Sequence, residues 1–169
     1  VEMLATGAFS PLTSVMGQAD YEAVCAGMRL ADGRLWPVPV TLDVSQKFAE
    51  KISSGQSIAL RDGEGTLMAV LTVSEIWQPD RGAESQCLYG TRSFMHAAAN
   101  QLLNAGGETC VTGRLEVVEL PLHHDFGPLR RTPAEVRAQL ARRCVTRVVG
   151  YHPRHLMHRA HVEFTKRTV

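Results

Sequence analysis

Aromatic residues make up only 6% of this 169-residue chain, and no apolar run approaches the length that crosses a membrane. Membrane-spanning helices are thereby excluded from expectation, and the first residues lack the charged and apolar regions of a secretory signal. A cytoplasmic location follows as the expectation. Net charge is nearly absent too, at +1 with a pI near 7.9. With no global basic field and few aromatics on which bases could stack, nucleic acid is not a favoured partner. Cysteine is sparse: Cys25, Cys87, Cys110 and Cys144 contain no Cys-x-x-Cys pair. Their spacing suggests neither a zinc site nor a disulfide framework, so they read as reduced thiols. His123-His124-Asp125 does not make a metal site either, because neighbours in an extended segment point to opposite sides. No metal-ligating set is expected.

What is present is ordinary globular material, 44% hydrophobic and 21% charged. The body reads as mainly β with some α. Gln56–Arg61, then Asp62-Gly-Glu-Gly65, then Thr66–Trp77 form a hairpin signature, with glycines where a tight turn needs positive φ. Trp36–Val44 is strand-like, but Pro37 and Pro39 cannot donate to a ladder and favour an edge. Val111–Leu120 is a further strand, with Gly113 as a candidate bulge. Helical stretches are fewer: Ala19–Ala26, Met95–Asn104 and the segment after Thr132. Many short strands with few helices predict a small barrel over residues 1–120.

Residues 121–131 are rich in Pro, His and charge and lack periodicity, which suits a linker. A new unit is then expected over 132–169. Thr132-Pro-Ala-Glu135 supplies an N-cap, a proline at the first helical position and a capping-box glutamate. The helix leads into Val148–Tyr151, which reads as a buried strand, and Met157 onward reads as a second helix containing Val162 and Phe164. Between strand and helix lies a basic, histidine-rich loop. His158 and His161 are three apart, so both imidazoles fall on one face of the first helical turn, beside unpaired backbone N–H groups and the positive end of the helix dipole. A strand, a tight loop and a helix start with cationic side chains make an anion site, and phosphate is its usual occupant.

Tyr151-His-Pro-Arg-His-Leu-Met-His-Arg-Ala-His161 resembles the first catalytic motif of ATP sulfurylase (sulfate adenylyltransferase), which reads Gln-x-Arg-Asn-Pro-x-His-x-x-His. Gly7–Thr13, Met28–Val44 and Leu122–Glu135 also look like segments of bacterial members. The resemblance implies a PUA-like β-barrel domain followed by the opening strand-helix unit of a Rossmann-like α/β nucleotidyltransferase domain. It also implies further material before Val1 and later motifs after Val169. The implied reaction joins ATP and sulfate into adenosine 5′-phosphosulfate and pyrophosphate, with Mg²⁺ accompanying the nucleotide and with a homo-oligomeric parent protein.

By the same resemblance Arg154 and His152 are the sulfate candidates. His158 and His161 are the catalytic pair at the ATP phosphates, and His155 joins them on the nucleotide side. Three positions depart from the pattern: His152 stands for Gln, His155 for Asn and Leu156 for Pro. Arg154, His158 and His161 are retained. Imidazole donates one hydrogen bond per protonated ring nitrogen and has a different reach from a carboxamide. Leu156 restores an N–H and frees φ. Three readings stand: the N-terminal part of an ATP sulfurylase with a departed motif; a catalytically degenerate sulfurylase-like scaffold fused to an adenylylsulfate kinase; and a PUA-like RNA-binding module.

Overall fold

The computed structural model describes residues 1–168, and the chain divides into two compact units, Val1–Leu129 and a second from Arg130 on. In the first unit α1 (Glu2–Ala5), α2 (Gln18–Gly27) and α3 (Gln46–Ala49) alternate with β1 (Asp43–Val44) and β2 (Ser57–Arg61). The long strand β3 (Leu67–Trp77), helices α4 (Arg81–Tyr89) and α5 (Ala97–Ala105), and β4 (Thr109–Val117) follow. The strands make one antiparallel sheet in the order β1-β4-β3-β2, curled into an open half-barrel.

The expected hairpin forms as β2 and β3, with Ile58 opposite Leu71 and Ala59 opposite Val70. Its turn is closed by Asp62, whose Oδ1 accepts from the Glu64 and Thr66 N–H groups at 2.9 Å each, while Gly65 supplies φ +93°. Along β3 the alternation places Ala69, Leu71 and Val73 inside. Leu71 and Val73 pack with Ile52, Ile58 and Val111 into one core cluster, and Leu4, Leu12, Met16, Val24 and Leu30 form another around Phe9 and Trp36. Each such aliphatic side chain contributes roughly 1.5–3 kcal/mol when fully buried.

Gly113 is not the bulge. The irregularity lies across from it: Val73 faces Gly113 and Glu75 faces Thr112, so Ser74 is the extra residue on β3. Gly113 is needed because the strands approach so closely that a Cβ there would lie 2.0 Å from the Thr72 carbonyl oxygen. The Trp36–Val44 strand shrinks to Asp43–Val44 at the sheet edge, where β1 pairs only with β4. The stretch before it, with its two prolines, is tied instead by single bonds, Met16 N–H to Val40 O and Val111 N–H to Leu42 O.

The expected helices appear as α2, α5 and α6 (Pro133–Arg142). Helix α4 was not anticipated, although its signals are in the sequence: Asp80 caps it by accepting from the Ala83 N–H at 2.8 Å, and Gly90 ends it in the left-handed region. With α1 and α3 added, helical residues outnumber strand residues. The unit is therefore mixed α/β rather than mainly β.

Helix α4 brings a charged knot into the interior. Arg81, 13% exposed at its side chain, bridges Asp43 of β1 at 2.6 Å and Glu84 at 2.8 Å. Glu84, only 5% exposed, also accepts from the Tyr21 hydroxyl of α2 at 2.9 Å. Burial, and then that donated bond, push the Tyr21 phenol far above its usual range. Burial would raise the Asp43 carboxyl, but hydrogen bonds from Arg81 and Thr41 and the guanidinium charge hold it below the usual carboxylate range. The Cys110 thiol donates to Asp43 at 3.3 Å, and burial pushes its pKa up to about 12.

In the second unit α6 begins as expected. Thr132 and Glu135 form a full capping box with Pro133 at the first position, and the Thr132 backbone N–H draws the Glu135 carboxyl below its ordinary range. The strand expected at Val148–Tyr151 does not form. The run is coil, with Val148 61% and Val149 55% exposed. A strand needs a neighbour for its backbone groups, and the described residues of this unit contribute none.

Replacing Arg81 by Met should leave Glu84 and Asp43 without their counter-charge and cost about 3–5 kcal/mol. Urea unfolding of the chain would measure it, and Arg81→Met/Glu84→Gln should lose less than the two single changes combined. A single-variant loss below about 1 kcal/mol would refute the buried-pair account. The Asp43 carboxyl has a depressed folded pKa, so its stabilising contribution is complete above the unfolded value, about 3.9, and is lost as pH falls through the folded one. Acid titration should therefore show a loss of stability below about pH 4 that Asp43→Asn removes. Thiol reagents should modify exposed Cys87 and Cys144 rapidly and reach Cys110 only on unfolding; equal rates at all four would contradict the core placement.

Candidate functional site: a histidine pair at a helix start

Helix α7 spans Arg159–Thr168, two residues later than the sequence suggests. His158 is its capping residue, since the His158 carbonyl accepts from the His161 N–H at 2.9 Å and the Val162 N–H at 3.2 Å. His161, three residues on, reaches back: its Nδ1 accepts from the His158 backbone N–H at 3.4 Å. This is the reciprocal contact that Glu or Gln makes in a capping box, carried out by imidazole. The two rings pack face to face, centroids 3.8 Å apart and 30° from parallel.

Tyr151 joins them. Its ring lies 5.9 Å from that of His161 and 6.2 Å from that of Phe164, one turn further along α7. Sequence reasoning assigned Tyr151 to a strand and gave it no place in the site. The signal was only its position, an aromatic residue immediately before the loop. His152, Arg154 and His155 lie on the exposed loop, with a bend at Arg154 and His155. Among the described residues no hydrogen bond, ion pair or ring contact ties these three to a protein partner. The structure thus joins His158 to His161 and leaves the other three side chains on solvent-facing backbone.

The charge distribution is the other feature that whole-chain composition conceals. Residues 1–129 carry eight Lys and Arg against fifteen Asp and Glu, a formal −7, whereas residues 130–169 carry ten against two, a formal +8. A near-neutral total is the sum of an acidic and a basic unit, and counting by unit would have shown it. Anions are drawn to the second unit. Elsewhere, His123 of the His-His-Asp run pairs with Glu2 at 2.7 Å within the first unit. No cluster of three or more His, Cys, Asp or Glu suited to a metal occurs among the described residues. None of their helices is long and apolar enough to cross a membrane.

A curled antiparallel half-barrel with helices beside it, followed along the chain by a basic helical unit, defines the class: a PUA-like domain leading into a basic helical segment. The chain belongs to the PUA-like domain family over residues 1–120, and residues 127–169 match the family model of ATP-sulfurylase. It is 40% identical over 99% of its length to a sulfate adenylyltransferase of Eremothecium gossypii, covering 33% of that protein. With one of Symbiobacterium thermophilum it shares 48% identity over 95% of its length, covering 40%. The solved hexameric APS kinase from Thiobacillus denitrificans matches 99% of the chain with a TM-score of 0.71 and 36% identity, over 29% of that structure. The chain spans about a third of the length of the curated relatives it matches.

Proposed function

We propose that this chain is the N-terminal part of a cytoplasmic ATP sulfurylase-like protein whose His158–His161 pair holds nucleotide phosphates and whose adenylyl transfer to sulfate is slowed by its altered loop. The observation that carries the reading is the pair itself: two imidazoles 3.8 Å apart at a helix start, within a unit of formal charge +8. In the reaction a sulfate oxygen attacks the α-phosphorus of ATP, the bond to the bridging oxygen breaks, and pyrophosphate leaves with the charge. Arg154 and His152 would orient sulfate. His158 and His161, with His155 beside them, would meet the phosphate oxygens on which charge grows. Donors fixed in advance on such oxygens accelerate the step without a covalent intermediate on the protein.

Any Mg²⁺ would travel with the nucleotide, held largely by phosphates and water. The parent protein would be a homo-oligomer, in keeping with the hexameric kinase whose structure the chain resembles. That likeness also favours a second reading, a sulfurylase-like module fused to an adenylylsulfate kinase and retained for assembly. RNA binding through the PUA-like unit is disfavoured by its formal −7, which repels a phosphate backbone.

Full-length protein assayed with ATP, sulfate and pyrophosphatase should release phosphate well below about 1 s⁻¹, because each missing donor at a charge-developing centre lowers the rate by about 10²–10³. Restoring His152→Gln, His155→Asn and Leu156→Pro together should raise that rate at least tenfold, a small part of what the two amide donors are worth (about 10²–10³ each). Ordinary turnover in the unaltered protein would sink the slowed-enzyme reading, and no gain on reversion would remove the loop as its cause.

A further inference from the structure

Three groups meet His161. The His158 backbone N–H points into its Nδ1 at 3.4 Å, the His158 ring packs on it at 3.8 Å, and the Tyr151 ring lies 5.9 Å away while also touching Phe164. A backbone N–H can only donate, so the ring nitrogen it meets must present a lone pair. A neutral His161 making that bond must then carry its proton on Nε2. Among the described residues Nε2 has no protein partner.

We propose that Tyr151 is a positioning residue for His161. By packing against the imidazole and against Phe164 it restricts the ring to the rotamer in which Nδ1 stays on the His158 N–H, and this leaves Nε2–H as the donor available to a phosphate oxygen. The inference rests on the reading of this loop as an anion site, and it adds a residue and a tautomer to it. Phe164 supplies the second wall: lying three residues after His161, it sits on the same side of α7, so one aromatic ring from outside the helix can touch both. Tyr151 does this from the coil that precedes the loop. Its hydroxyl has no part in the argument, which makes phenylalanine an adequate substitute and alanine an inadequate one.

The test uses the 169-residue chain labelled with ¹⁵N-histidine, observed by two-bond ¹H–¹⁵N correlation at mildly alkaline pH, where imidazole is neutral. His161 should show a lone-pair Nδ1 and a protonated Nε2 in the unaltered chain and in Tyr151→Phe, and a mixture of both tautomers in Tyr151→Ala. Inorganic pyrophosphate should shift the His161 Nε2 resonance, with its dissociation constant raised roughly 2–10-fold in Tyr151→Ala, the range expected for one lost aromatic contact, and unchanged in Tyr151→Phe. A protonated Nδ1 in the unaltered chain, or an alanine variant indistinguishable from it in tautomer, would overturn the positioning role. A single Nε2–H tautomer that is indifferent to pyrophosphate would instead overturn the anion-site reading and the donor role with it, while the tautomer spectra of the two variants would still decide what Tyr151 does.

Discussion

The first unit depends on a buried guanidinium. Arg81 enters from α4 and binds carboxylates from two directions, Asp43 on the edge strand and Glu84 on its own helix, while Glu84 in turn receives the Tyr21 hydroxyl from α2. One residue thereby ties two helices to a two-residue edge strand too short to hold by its ladder alone. Burying a charge is costly unless every counter-charge is in place, so the arrangement enforces a single register and tolerates few alternatives. Cys110 and Gly107 complete the shell from the β4 side, through bonds to Asp43 at 3.3 and 3.2 Å.

Against that framework the sheet solves a second problem, close approach. At Gly113 the strands β3 and β4 come nearer than any side chain allows, and the extra residue Ser74 lets β3 adjust around the contact. The consequence is local twist in the two longest strands, which suits a sheet that curls into a half-barrel. The helices α4 and α5 then fill the chain between β3 and β4.

The second unit works by different physics. It has no sheet among its described residues and relies on two capped helices. At α6 the full capping box is made by threonine and glutamate; at α7 only its back-reaching half is made, by His161 to the His158 N–H. Using imidazole for a capping contact keeps one ring nitrogen on the backbone and leaves the other, Nε2, without a protein partner among the described residues.

Much of this was legible in sequence where the signal is local. The Asp62–Gly65 turn, the alternation of β3, the Thr132–Glu135 capping box and the His158/His161 spacing are each settled within a few residues by turn chemistry, side-chain period or hydrogen-bond reach. Family resemblance, carried by the motif at 152–161, was likewise a property of the chain itself, as were the charges that divide it into an acidic and a basic unit. What depended on distant neighbours was decided only by the tertiary structure. Gly113 was recognised as special, but the bulge lies on the opposite strand because only pairing reveals which chain yields. Val148–Tyr151 has a strand's composition and stays coil, because a strand exists only by hydrogen bonding to another. Arg81 carries no local signal of its role, which arises only because Asp43, thirty-eight residues earlier, folds against it, and Tyr151 meets the histidine pair only because its ring comes to rest on His161.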